Sequence, residues 1–206
     1  MLSANKPLVE FGKLDKCLSK YGKHFECDND KEIIYSSDIN SDDTFIILNG
    51  VISLRRGENV LVGIAQAPFI MGLSDGVIKT DIQYRLITES DCTGYHLPAS
   101  QTINIIEECQ LWREAFCWLA WHSMLELRDL QLIGNNSYDQ IRATLISMTK
   151  WDEALRSRIG VMNYIHQRTR ISRSVVAEVL AALRKGGYIE MNKGKLVCIN
   201  RLPFEY

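Results

Sequence analysis

A chain of 206 residues, 46% of them hydrophobic, is long enough to bury a real core and to divide into two unequal domains. Its formal net charge of −1 conceals an asymmetry: residues 156–201 carry ten Lys or Arg against two Glu, a net of +8 that leaves −9 for the remainder. No apolar run approaches the roughly 18 residues of a membrane span and the first thirty residues hold no signal-peptide core, so a cytoplasmic protein with no membrane partner is expected.

In chain order, Leu8, Phe11, Leu14 and Leu18 stand at near-helical spacing and predict one packed helix within residues 1–25. From Lys31 the period changes to short β-rich runs at residues 32–35, 44–48, 51–55, 60–65, 83–88 and 92–97. Such runs, separated by turn residues, predict an antiparallel barrel or sandwich. Asn49-Gly50 is the strongest hairpin signal, because both residues tolerate positive φ, and Gly57 to Asn59 is expected to close the next hairpin. Beyond Pro98 the pattern is that of one long helix. Ile105, Cys109, Trp112, Phe116 and Leu119, followed more weakly by Ser123, Glu126 and Leu130, trace a seam at spacings of three and four, with Trp118 and Trp121 off it. A helix apolar on more than one side needs two neighbours: one is the β domain, and the other is a second copy of the chain unless the aromatics simply pack inside a monomer. Gly134-Asn135-Asn136 breaks this helix, and residues 138–151 follow as an amphipathic helix on Ile141, Leu145 and Met148.

Residues 161–199 are the most informative stretch. Ile159, Met162 and Ile165 make the apolar side of a helix ending near Gln167. In the next helix Val175, Val176, Val179, Leu180 and Leu183 recur on one side, while Arg173, Ser174, Ala177, Glu178, Ala181 and Arg184 gather on the other. Ser172 is a good N-cap, since its hydroxyl accepts from an orphan backbone N–H of the first turn. Gly186 and Gly187 supply the left-handed backbone that ends the helix. Two strands, 188–191 and 196–199, then flank Asn192-Lys193-Gly194-Lys195, a tight turn tipped with two lysines. Basic charge alone fits a solvated surface; together with a capped helix and a lysine-tipped hairpin it points to double-stranded DNA.

Catalysis finds no support. The six cysteines (17, 27, 92, 109, 117 and 198) form no C-x-x-C pair, and the four histidines (24, 96, 122 and 166) lie far apart. A metal-holding barrel enzyme needs clustered histidines, and only His96 lies within the predicted strands. No enzyme activity, metal or other cofactor is expected.

Residues 45–54, FIILNGVISL, and 171–176, ISRSVV, resemble the glycine-centred hairpin and the start of the recognition helix of the Crp/Fnr family of bacterial transcription regulators. The order of small β-barrel, long helix and winged helix is similar to that family over nearly the whole chain. The resemblance implies an α+β protein in three parts: an N-terminal antiparallel β-barrel of the cyclic-nucleotide-binding, jelly-roll kind over residues 1–99, a long connecting and dimerisation helix over 100–134, and a C-terminal winged helix-turn-helix over 135–206. It implies a homodimer on DNA and leaves room for an RNA polymerase contact. Arg173 occupies the position that in the family reads a guanine. Ser174 and Glu178 would accompany it in the major groove, with Arg168, Arg170, Lys193 and Lys195 on the backbone and Ser172 and Arg184 completing the DNA-binding set. Cys109, Trp112, Phe116 and Leu119 would form the dimer seam. More closely, the chain resembles an enterobacterial group described as inhibitors of hydrogen peroxide resistance, which implies a part in oxidative-stress resistance.

Three departures from the family bear on function. Gly72 of the cyclic-nucleotide cassette is retained, but Leu73 stands in the acidic position and Ile82-Gln83 where an arginine and a hydroxyl residue belong. Arg85 is near, yet Leu86 follows it. A degenerate pocket (Gly72, Leu73, Arg85) without cyclic nucleotide is expected, its small-molecule effector unknown. Cys17 and Cys27 stand without the cysteine cluster of oxygen-sensing members, so no iron-sulfur cluster is expected. Arg170 replaces the small residue, often Gly, of the turn between the DNA-binding helices, at a cost of about 1 kcal/mol if φ is positive. An alternative to DNA regulation is a thiol-redox-responsive protein acting through a protein partner. Cys109 on the seam is its candidate thiol, set against the plainer expectation that Cys109 and Cys117 are small buried apolar residues.

Overall fold

The computed structural model describes residues 5–33, 43–56, 60–78, 84–130 and 136–203, and the side chains of these apart from residues 32, 84 and 126–130. The chain divides into two compact units, residues 1–126 and 127–206.

In the first unit helix α1 (Leu8–Leu18) precedes, among the described residues, eight strands: β1 (Lys23–Cys27), β2 (Glu32–Ile33), β3 (Asp43–Asn49), β4 (Val51–Arg56), β5 (Val60–Gln66), β6 (Phe69–Met71), β7 (Tyr84–Thr88) and β8 (Cys92–Pro98). Helices α2 (Ala99–Glu108) and α3 (Trp112–Leu130) follow, and the boundary between units falls inside α3. The strands form two four-stranded sheets, in the orders β1-β8-β3-β6 and β2-β7-β4-β5. Every pairing is antiparallel. Ile46 and Ile47 of one sheet share a core with Ile52, Leu54 and Leu86 of the other. The result is a jelly-roll-like pair of sheets and not a closed barrel.

Phe45, Ile46 and Ile47 are consecutive and all buried, so β3 needs cover on both faces. Ile46 lies opposite Tyr95 in the sheet, and the Tyr95 hydroxyl donates to Asp15 Oδ1 of α1 at 2.7 Å. That face is therefore the helix side, and strand alternation turns Phe45 and Ile47 the other way. Phe11, Leu14 and Leu18 of α1, Ile105 and Ile106 of α2 and Trp118 of α3 all join the same core. The buried Trp118 indole N–H donates to the Ile70 carbonyl at 3.1 Å, which satisfies its polar atom without opening the core.

Several expectations are corrected. Asn49-Gly50 does not join paired strands: β3 is flanked by β6 and β8, and β4 by β5 and β7, so both edges of each strand are taken. The dipeptide marks instead the corner where the chain passes from one sheet to the other. Gly50 has φ +98, and an added Cβ would strike the Asp91 carbonyl oxygen and lie 2.5 Å from Cys92 Sγ. Strands β1 and β6 carry no clear alternation and were not expected; they are made by their partners β8 and β3. The long helix after Pro98 is two helices, because Gln110 takes φ +55 and the chain turns between Cys109 and Leu111. The Gly57 to Asn59 turn, the ends of the runs at residues 34–35 and 83, the Ile82-Gln83 pair and Gly134-Asn135 lie outside the described residues, although β4 and β5 do pair as a hairpin through Arg56 and Val60.

The second unit holds α4 (Ser137–Met148), α5 (Glu153–Arg158), α6 (Val161–Thr169), α7 (Arg173–Lys185) and a hairpin of β9 (Ile189–Asn192) and β10 (Lys195–Ile199). Asn136 and Asp152 cap α4 and α5, each accepting from a backbone N–H three residues on, at 2.8 and 2.7 Å. Helix α5 was not expected. The bracing face of α6 also differs: it buries Val161, Tyr164 and Ile165, while Met162 is exposed and Ile159 caps α5. Val175, expected in the core, is 37% exposed.

The same substitution is expected to act with opposite signs at two glycines. Gly50→Ala should cost about 2 kcal/mol or more, from the strained φ and the close approach. Gly12→Ala, in α1 with no atom within 4 Å of an added Cβ, should stabilise by about 0.5–1 kcal/mol. Urea unfolding midpoints of the two variants against the parent chain check both.

Candidate nucleic-acid interface

The turn between α6 and α7 is built from side chains. Arg170 adopts φ 63, ψ 7, the left-handed conformation, and its N–H donates to the His166 carbonyl at 3.0 Å. Thr169 Oγ1 donates to the Ile165 carbonyl at 2.7 Å and accepts from the Ile171 N–H at 3.3 Å. His166 Nδ1 donates to the Ile171 carbonyl at 2.7 Å. The usual turn geometry is thus kept, with arginine where glycine is easier. Two residues on, Ser172 Oγ accepts from the Val175 N–H at a long 3.4 Å and lies 3.0 Å from Ser174 Oγ.

Helix α7 separates its faces as its period requires. Val176, Val179, Leu180 and Leu183 are buried. Arg173, Ser174, Ala177, Glu178, Ala181 and Arg184 are exposed together, with Ser172 at the leading end. Small alanines between the polar residues leave room for close approach of a groove wall. Beside the C-terminal half of the helix, Ala181, Arg184 and Lys185 face Met191, Asn192 and Val197 of the hairpin across an open groove. Lys185 was missed by sequence reasoning; its place next to Arg184 in the last helical turn was the available signal.

The hairpin is a two-residue turn, with Lys193 at φ 46 and Gly194 at φ 77 and Asn192 paired to Lys195. Its tip is anchored: the Val161 N–H donates to the Gly194 carbonyl at 3.0 Å, and the Lys195 ammonium donates to the Arg158 carbonyl at the end of α5. Lys193 is exposed, whereas Lys195 is half-buried by that contact. Arg168 is half-buried too, its guanidinium 6.0 Å over the Tyr164 ring. The structure therefore brings Ser172, Arg173, Ser174, Glu178 and Arg184 to one surface and gives Arg168 and Lys195 partners within the fold.

In the first unit Gly72 has φ +77 and its carbonyl accepts from Thr44 Oγ1 at 3.2 Å. Leu73 is 3% exposed and belongs to the shared core. Arg85 lies opposite Arg55 in the sheet, while its chain neighbour Leu86 points into the core, so alternation directs Arg85 to the outer face. Asp75 went unnoticed in the sequence: its N–H donates to the Gly72 carbonyl, its carboxylate accepts from Ser74 Oγ at 3.2 Å, and burial pushes its pKa up. On α3, Trp112 and Phe116 are 46% and 72% exposed and Leu119 is half-buried. Glu114 on the inner side is buried and ion-paired to Lys13 at 2.7 Å, which holds its carboxyl below the usual range. Cys109 is neither on α3 nor buried; it is exposed at the end of α2. Among the described residues no helix is long and apolar enough to cross a membrane.

Residues 137–204 match the family model for winged helix-turn-helix DNA binding. The whole chain aligns with the inhibitor of hydrogen peroxide resistance of Escherichia coli strain K12, at 75% identity over 207 positions and all of both chains. The chain belongs to that family. Its Salmonella typhimurium relative of the same name is 72% identical, again over the full length of both. Among solved structures it is similar to the c-di-GMP responsive global regulator CLP of Xanthomonas campestris, with a TM-score of 0.73 at 14% identity over 92% of this chain and 99% of that one. A transcriptional regulator of the crp/fnr family from Eubacterium rectale gives a TM-score of 0.64 at 12% identity, over 91% and 89%. At such identities the likeness is one of fold. This family member thus has the fold of Crp/Fnr regulators and ends in a DNA-binding winged helix.

Ser172→Ala is expected to cost about 1 kcal/mol by removing the cap of α7. Arg170→Gly should instead raise stability by up to about 1 kcal/mol, because glycine takes the left-handed backbone freely. Denaturant melts of the two variants report both signs; a loss on Arg170→Gly would mean that the arginine side chain contributes more than its backbone costs.

Proposed function

We propose that this protein is a homodimeric transcription regulator that reads DNA with the exposed face of α7 and acts in resistance to hydrogen peroxide. The observation that carries this is the capped α7 itself, presented behind a rigid left-handed turn with Arg173, Ser174 and Glu178 at its exposed, N-terminal end. Arg173 reads a base edge, bidentate to a guanine, and Glu178 accepts from a cytosine amino group. Lys193 at the wing tip and Arg170 and Arg184 at the two ends of α7 meet phosphates, with Arg168 and Lys195 beside them. Trp112, Phe116 and Leu119 of α3 form the dimer seam, and the symmetric pair reads half-sites about 34 Å apart. Leu73, packed in the core where an acidic residue would meet a ribose, supports a first unit that does not respond to cyclic nucleotides. The peroxide role rests on the name shared by relatives at 72–75% identity.

Selection of bound sequences from a random duplex library, followed by binding at several salt concentrations, tests the DNA part. Arg173→Ala is expected to cost roughly 1–3 kcal/mol on the selected sequence and to relax preference at one base per half-site. Lys193→Ala should weaken all sequences alike and flatten the salt slope. Equal losses on selected and random DNA from Arg173→Ala would remove its base-reading role. In cells lacking the protein, the Arg173→Ala chain should leave peroxide survival as it is with no chain at all. For the dimer, Phe116→Asp places a charge on a residue already exposed in the monomer, so sedimentation should shift to a single chain while the far-UV circular dichroism spectrum stays that of the parent.

A further inference from the structure

Among the described residues, Arg55, Arg142 and Arg156 each bury a guanidinium Nε that has no hydrogen-bond partner. Such an N–H has lost its hydration and calls for an acceptor from outside the chain. Arg55 has a carboxylate at hand, since its guanidinium lies 3.7 Å from Glu89. Arg156 has a cavity beside it. An open cleft of about 410 Å³ between α5 and the wing is lined by Arg156, Asn192, Lys193 and Lys195, and of its lining residues only Glu153 is acidic. Its walls are held in place. Asp152 caps α5, and the Lys195 ammonium donates to the Arg158 carbonyl at the end of that helix. That bond uses one of three ammonium N–H groups and leaves two.

We propose that this cleft is a phosphate site with Arg156 as its anchor. Three positive charges against one carboxylate select an anion. An arginine offers two N–H groups side by side to two oxygens of one phosphate, and a phosphate in the cleft gives the buried Nε its acceptor. Lys193 and Lys195 add charge without a fork, and the Asn192 amide adds a neutral donor. A tetrahedral phosphate has oxygens for the fork and for the lysines at once. A carboxylate, with two oxygens, satisfies the fork alone.

Two sources supply this chemistry. One is the backbone of a bound duplex. Asn192 and Val197 line both this cleft and the groove beside α7 where Arg184 and Lys185 stand, so the wing carries cations on both flanks, as a strand of successive phosphates requires. In that case the site rests on the DNA-binding reading and adds Arg156 to its backbone contacts. The other source is a free phosphorylated ligand, for which the cleft is an effector site within the second unit.

The test uses the full-length chain in two arms: calorimetric titration with pyrophosphate at constant ionic strength, and binding to a selected DNA duplex at several salt concentrations. Pyrophosphate is expected to bind the parent chain, and Arg156→Gln to weaken it about tenfold or more, as loss of a charge-assisted bond implies. Glu153→Gln should tighten it, and Lys16→Gln, exposed on α1, should leave it as it was. Without pyrophosphate the unfolding midpoint of Arg156→Gln should not fall, because the Nε–H removed has no partner. Arg156→Lys keeps the charge and loses the fork, so it gives the same answer if the glutamine variant is unstable. On DNA, a salt slope flatter by about one in Arg156→Gln identifies a backbone phosphate. An unchanged slope with pyrophosphate binding lost identifies a free ligand. Pyrophosphate binding that is indifferent to Arg156, or none at all, together with an unchanged slope, overturns the proposal. The pyrophosphate arm needs no DNA, and Arg173→Ala tests base reading without this cleft, so the two readings fail separately.

Discussion

The presentation of α7 depends on one residue of left-handed backbone. Arg170 reverses the chain within a single step, and the bonds around it come from both sides: His166 and Thr169 at the end of α6, Ser172 at the start of α7. A flexible loop here would let α7 swing and spread its polar face over many orientations. Side-chain bonds to the Ile171 carbonyl and N–H remove that freedom before any ligand arrives, which is what a preorganised binding surface requires. The hairpin is tied to the start of α6 by the Val161 to Gly194 bond and to α5 by the Lys195 ammonium. Turn, helix and wing therefore hold one geometry as a single body.

In the first unit the governing demand is cover for β3. Three consecutive buried apolar residues leave that strand no solvent face, so a second sheet must lie on one side and helices on the other. Meeting this demand uses the inner sides of α1, α2 and α3, with Trp118 and its indole bond to Ile70 at the centre. The outer side of α3 is left with Trp112 and Phe116 in the open. Apolar packing reaches the segment after β6 as well, where Leu73 joins the core and Asp75 bonds back to Gly72.

Much of the second unit was legible because its signals are local. The Ser172 cap, the split faces of α7 and the Lys193-Gly194 turn each rest on residues within a few positions of one another, and each stands where the pattern puts it. Two things there were not legible: α5, a six-residue helix too short to show a period, and the exposure of Val175 on α7. Helix α6 turns Val161 and Tyr164 inward and leaves Met162 exposed.

The β unit was legible in composition and poorly legible in connection. Strand-forming runs announce themselves by β-branched residues and turn chemistry, and most of the runs became strands. Which strand pairs with which does not follow from either, because pairing joins residues dozens of positions apart. Asn49-Gly50 has the local chemistry of a hairpin, and only the occupation of both edges of β3 and β4 turned it into a corner between sheets. Cys109 fits a helical seam by spacing alone; the left-handed Gln110 took it off that seam and left it exposed at the end of α2. Lys195 carries the same charge as Lys193, and only the approach of α5 engaged its ammonium. Caps, faces and tight turns are thus decided by neighbours in the chain. Partners across a sheet, between helices or under a wing are decided by packing, which a one-dimensional pattern does not contain.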